Sequence, residues 1–152
     1  MAQVKEYKIS IPDESIDLLR KKLELARFPD ELDGSGWDYG APLKDVQRLT
    51  KHWLNSYNWR EHEEKLNKTV PQYTTEVPMG QFGTLNIHFV HQKSEAENAI
   101  PLLFCHGWPG SFVEVLKILP ELTKGGKEYP AFHVVAPSLP NFGFSEGVKK
   151  VW

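Results

Sequence analysis

The 152 residues carry 18 basic and 20 acidic side chains for a net charge of −2, with 40% hydrophobic and 25% charged content. That is the make-up of one ordinary soluble domain, or of part of a larger one. The near-neutral balance, with basic residues in short mixed runs such as Arg20-Lys21-Lys22, excludes the basic surface that nucleic acid or an anionic membrane requires. A single cysteine excludes an internal disulfide and any multi-cysteine metal site. The opening residues, Met1-Ala2-Gln3-Val4-Lys5-Glu6, have neither the basic start nor the apolar run of a secretory signal. No apolar stretch approaches the ~20 residues of a membrane span, so a cytoplasmic setting is expected.

In chain order, Tyr7, Ile9 and Ile11 alternate with polar residues and read as a short extended entry. Pro12-Asp13 then starts a helix whose stripe is Ile16, Leu19, Leu23 and Ala26, with Phe28-Pro29 as the stop. Residues 30–41 are turn chemistry carrying Trp37 and Tyr39. Pro42 opens a second helix through Leu43, Val46, Leu49, Trp53 and Tyr57, and a break at Asn55–Asn58 precedes a short polar helix with Trp59, His62 and Leu66 on one side. The aromatics Trp37, Tyr39, Trp53 and Trp59 read as core and wrapping contacts. Tyr73–Val77 and Leu85–Phe89, around a turn at Gly80–Thr84, predict an antiparallel strand pair.

Pro101 to Cys105 reads as a short strand buried on both faces, with Cys105 an inert interior thiol. His106-Gly107-Trp108-Pro109-Gly110 breaks it sharply, and Phe112, Val115, Leu116, Leu119 and Leu122 predict a helix ending at Lys124-Gly125. Phe132–Pro137 is a second buried strand. Strand, helix and strand form a βαβ unit with two parallel strands. One such unit cannot cover both faces of a parallel sheet, leaving Leu102, Leu103, Phe104, Val134 and Val135 short of partners. The pattern therefore predicts the N-terminal part of a larger α/β protein, or a chain that forms a homo-dimer or otherwise associates through the uncovered sheet.

Several stretches together resemble the microsomal-type epoxide hydrolases. They are Phe28-Pro29, Trp37, Trp59-Arg60-x-x-Glu63-x-x-Leu66-Asn67, Ile87-His88-Phe89-Val90, His106-Gly107-Trp108-Pro109-Gly110-Ser111 and Pro137-Ser138-Leu139-Pro140-x-Phe142-x-Phe144-Ser145. The resemblance implies the N-terminal portion of an α/β-hydrolase fold wrapped by a helical region. Residues 1–95 would hold that region and the first strands, and 96–152 would open the catalytic domain, ending before the nucleophile elbow. It implies hydrolysis of small-molecule epoxides to vicinal diols through an aspartyl ester, without cofactor or metal. The nucleophile, the base and the cap tyrosines have no counterpart in this sequence, so the chain alone is expected to be inactive.

What remains is the turn. Ester hydrolysis builds negative charge on a carbonyl oxygen, and preorganised amides stabilise it. By resemblance the Trp108 amide is one such donor, and the Trp108 ring lies near the substrate. Gly107 lets the backbone approach closely, Pro109 sets the turn with a cis Trp108–Pro109 bond as one means, and His106 is a structural neighbour rather than a base. Gly143-Phe144-Ser145-Glu146-Gly147 matches the nucleophile-elbow pattern, but no strand directly precedes the serine and no helix follows it. His88-x-x-His91 lacks the helical face and third ligand of a metal pair. The readings kept beside epoxide hydrolysis are another His-Gly-x-Pro hydrolase, such as a dehalogenase or esterase, and a truncated, non-catalytic association module. The long helical region, residues 10–70, argues against the first.

Overall fold

The computed structural model describes residues 3–126 and 128–150. The chain divides into two compact units, Ser10–Glu64 on the one hand and Met1–Ile9 with Lys65–Trp152 on the other.

The first unit is helical. α1 (Asp13–Glu24) follows Pro12, whose fixed φ of −58° prepares the first turn, and Ile16, Leu19 and Leu23 form its half-buried stripe. The helix ends at Glu24 rather than at Phe28-Pro29, because the stripe runs out: Leu25 and Ala26 are both exposed. α2 (Leu43–Asn55) begins after Pro42 as its sequence predicts, yet its apolar face of Val46, Leu49 and Trp53 is exposed. Trp37 and Tyr39, 70% and 84% exposed, join it on the surface, so in this chain these aromatics are not core.

α3 (Trp59–Thr69) turns inward on Glu63 rather than on His62, which is exposed and stacks on Tyr57 with ring centroids 4.6 Å apart. Glu63 Oε1 accepts from the Ile11 amide at 2.7 Å and the Trp59 indole at 3.3 Å, while Oε2 meets Arg60 at 2.6 Å. Arg60 also pairs with Asp13. Burial works against the Glu63 charge, but the Ile11 amide and Arg60 outweigh it and hold the carboxyl below its ordinary range.

Among the described residues, the second unit is built on a five-stranded mixed sheet. Its strands are β1 (Val4–Glu6), β2 (Gln72–Pro78), β3 (Thr84–Gln92), β4 (Ile100–Leu103) and β5 (Phe132–Pro137), in the order β1-β2-β3-β5-β4. The entry strand lies a few residues earlier than the alternation of Tyr7–Ile11 suggests, because Val4–Glu6 is the segment that pairs with Tyr73–Thr75. β2 and β3 form the antiparallel pair, and β5 pairs antiparallel with β3 and parallel with β4.

Several expectations fail at this end of the sheet. β4 is an edge strand with Leu103 65% exposed, not a strand buried on both faces, and Cys105 is exposed. Its apolar run reads as interior because such runs do in closed parallel sheets, whereas here β5 is its only neighbour among the described residues. Val134, by contrast, is fully buried, since β5 alternates: Val134, Ala136 and Ser138 face the core with Val90, Phe112 and Val115. Val135 and Leu103 face the other way, onto a shallow apolar groove shared with His91, Pro101 and His133. The crossover is also not one helix. Residues 112–115 form a single 3₁₀ turn, and α4 (Leu119–Lys124) starts afresh with Pro120 in its first turn. A continuous helix would set the Pro120 ring against the carbonyl of Leu116, so the proline begins a helix instead of extending one. Gly125, at φ 62°, closes α4.

Candidate functional site

The turn stands where β4 ends. The Phe104 amide makes the last bond to β5, donating to the Val135 carbonyl at 2.8 Å, and the chain then leaves the sheet through His106 to Gly110. In open α/β sheets the carboxyl ends of parallel strands are where backbone groups lack ladder partners and face a ligand.

Each residue of the turn is held differently. His106 is buried, and both ring nitrogens are engaged: Nε2 accepts from the Leu139 amide at 3.2 Å, so Nδ1 carries the proton and donates to the Gly107 carbonyl at 2.9 Å. Its ring also meets Phe142 edge-on at 5.2 Å between centroids. The Trp108–Pro109 bond is cis. Trp108 is 84% exposed, and its amide has no hydrogen-bond partner among the described residues. Ser111 and Glu114 form a capping box, in which Glu114 Oε1 accepts from the Ser111 amide at 3.2 Å. Glu114 Oε2 reaches back to the Gly107 amide at 3.4 Å. The fold of the turn is close enough that a Cβ on Gly110 would lie 1.8 Å from Glu114 Oε1 and 2.7 Å from the Gly107 carbonyl oxygen.

The Gly-x-Ser-x-Gly stretch is a brace. The Ser145 hydroxyl donates to the Ser138 carbonyl at 2.6 Å and accepts from the His88 amide at 2.9 Å. Gly143 has φ 52°, and a Cβ there would lie 2.6 Å from Ser138 Oγ; at Gly147 it would lie 2.3 Å from Asn141 Oδ1. Both glycines serve loop packing, and the serine is tied to backbone rather than presented at a strand end.

His88 and His91 fall on opposite faces of β3, as an odd spacing in a strand demands. His88 is fully buried, with Nδ1 2.8 Å from Ser138 Oγ and Nε2 3.1 Å from Gln72 Oε1, inside a ring of Tyr7, Phe112 and Phe144. Burial depresses its pKa to about 4, so the neutral ring donates from Nε2 to Gln72 and accepts at Nδ1 from Ser138. No group of three or more His, Cys, Asp or Glu side chains among the described residues is arranged to hold a metal, and no helix among them is long and apolar enough to cross a membrane.

Sequence reasoning missed Glu114. Its signal was present, since Ser111-x-x-Glu114 spells a capping box, but the reach back to Gly107 needs the folded turn.

The model of the epoxide hydrolase N terminus matches residues 4–115. The chain belongs to the epoxide hydrolase N-terminal family. It is 37% identical over 151 residues to juvenile hormone epoxide hydrolase 2 of Ctenocephalides felis, covering 97% of this chain and 31% of that protein. The structure of Aspergillus niger epoxide hydrolase superposes with a TM-score of 0.79 at 34% identity, over 99% of this chain and 39% of that one. Juvenile hormone epoxide hydrolase from the silkworm Bombyx mori gives 0.82 at 30% identity, with the same coverage of 99% and 39%. The chain thus spans about a third of the length of the curated relatives it matches. Its mixed sheet and helices are those of the N-terminal portion of an epoxide hydrolase of the α/β-hydrolase fold.

Proposed function

We propose that these residues serve as the N-terminal third of an enzyme that hydrolyses epoxides to vicinal diols, and that the turn 106–109 supplies half of its oxyanion hole. In this reading an aspartate from outside the 152 residues attacks an epoxide carbon. The C–O bond breaks, the ring oxygen takes a proton, and an ester remains. Water then adds to the ester carbonyl, whose oxygen becomes negative until the intermediate collapses to diol and free carboxylate. Trp108 contributes its backbone amide at that oxygen, and its exposed ring is offered to the substrate. His106, Gly107 and Pro109 support the turn. The single observation behind the assignment is the Trp108 amide, without a hydrogen-bond partner among the described residues, at the carboxyl end of a parallel strand, beside a Gly107 whose amide and carbonyl are both bonded. One aligned amide is worth roughly 10²–10³ in rate.

The expected result is diol formation from styrene oxide by the full-length protein, and none above background from residues 1–152 alone. Diol formed by residues 1–152, and abolished by a substitution within them, would overturn the assignment.

A second reading has its own observation, the exposed apolar groove of Leu103, Val135 and Pro101 beside the β4 edge. It supports association of the isolated chain through that sheet face, including a second copy of itself.

A further inference from the structure

We propose that Glu114 and His106 are positioning residues that together aim the Trp108 amide, acting through the two peptide groups of Gly107. The inference rests on the oxyanion reading of Trp108 and adds the device that makes that donor rigid.

Gly107 has no side chain to restrict its φ and ψ, so left alone it would let the two peptide planes beside it rotate freely. Both planes are instead held from outside. The amide of Gly107 donates to Glu114 Oε2 at 3.4 Å, and its carbonyl accepts from His106 Nδ1 at 2.9 Å. The Gly107–Trp108 bond is trans, so the carbonyl of Gly107 and the amide of Trp108 lie in one plane and point in opposite directions. Drawing that carbonyl onto the imidazole fixes the Trp108 N–H in the opposite direction. The only polar hydrogen left unsatisfied in this plane is the one that the proposed reaction uses.

The two anchors are themselves fixed. Glu114 is held by the capping box with Ser111, and Gly110 leaves its carboxylate room by lacking a Cβ. The His106 tautomer is set by the Leu139 amide, which follows β5, so the turn after one parallel strand is tied to the segment after the next. Neither side chain has a proton-transfer role here. An aligned donor already in place at reaction costs no reorganisation when charge develops, which is what distinguishes an oxyanion hole from water.

Glu114 is exposed, so Glu114→Ala keeps the core intact. In the full-length protein it is expected to slow hydrolysis of the ester about tenfold, less than loss of a donor, while leaving ester formation within about twofold. The ester then accumulates in the first turnover, kcat and KM fall together, and kcat/KM stays within about twofold. Glu114→Gln, whose amide oxygen still accepts one N–H, is expected to recover part of the loss. A purely structural role would instead lower kcat and kcat/KM equally at constant KM, in proportion to folded protein, and that result overturns the proposal. So does a nitrogen-15 spectrum of His106 showing the proton on Nε2 rather than Nδ1. An active wild type with an indifferent Glu114→Ala discards only the positioning role, whereas a wild type that forms no diol discards the functional reading and this role with it.

Discussion

At the scale of single residues, no buried side-chain polar atom among the described residues lacks a hydrogen-bond partner, and the burial of His88 makes stability depend on pH. Its pKa is about 4 in the fold and near 6.5 in an unfolded chain, because burial penalises the imidazolium. Between those values the unfolded chain binds a proton that the folded chain refuses. Stability is therefore complete above about pH 6.5 and falls as the pH drops towards 4, by up to about 3 kcal/mol from this group. Urea midpoints taken from pH 7.5 to pH 4.5 should decline through that interval, and a flat profile would show that His88 does not stay neutral. Nothing in the alternation of Leu85, Ile87 and Phe89 marks His88 as interior, since strict alternation places it outside; Ser138 and Gln72 make its burial tolerable.

At the scale of elements, loops rather than strands carry the precision. The segment from Ser138 to Glu146 is pinned to β3 by the Ser138 amide on the His88 carbonyl at 2.8 Å and the Glu146 amide on the Asn86 carbonyl at 2.9 Å. Gly143 sits inside that brace with positive φ and no room for a Cβ. Gly143→Ala should cost about 2 kcal/mol, combining the left-handed backbone with displacement of Ser138. An unchanged denaturation midpoint would mean that the loop yields without cost. The same stretch matches a nucleophile-elbow pattern, which shows why such a pattern acquires meaning only from the strand and helix around it. The crossover makes a related point: apolar spacing through Phe112–Leu122 suits a helix, and one residue, Pro120, divides it.

At the scale of the whole molecule, the exposed apolar edge at β4 is what the proposed association rests on. Leu103 is 65% exposed at an edge strand, next to a groove of Leu102, Pro101 and Val135. Exposed apolar edges pair with other chains. The isolated 152 residues should therefore associate at micromolar concentration in sedimentation velocity, and Leu103→Lys should shift the population towards monomer with little change in stability. A wild-type chain that stays monomeric would remove the association reading. The resemblance to epoxide hydrolases is legible in the sequence, because it rests on ordered runs of residues from Phe28-Pro29 to Ser145, and the family match over residues 4–115 agrees with it.

By itself the sequence determined what depends on neighbours along the chain: α1, α2, the β2–β3 pair, the parallel β4–β5 unit and the break at His106-Gly107-Trp108-Pro109-Gly110. Periodicity, proline and glycine are local constraints, and they suffice for local structure. Tertiary structure alone decided which apolar residues are interior, because burial depends on what lies opposite: Val134 has cover, while Leu103, Cys105 and Trp37 do not. It alone also joined Glu114, Gly107, His106 and Leu139, since the bond from Glu114 to Gly107, seven positions apart, needs the folded turn, and that from His106 to Leu139, 33 apart, exists only once β4 and β5 lie side by side.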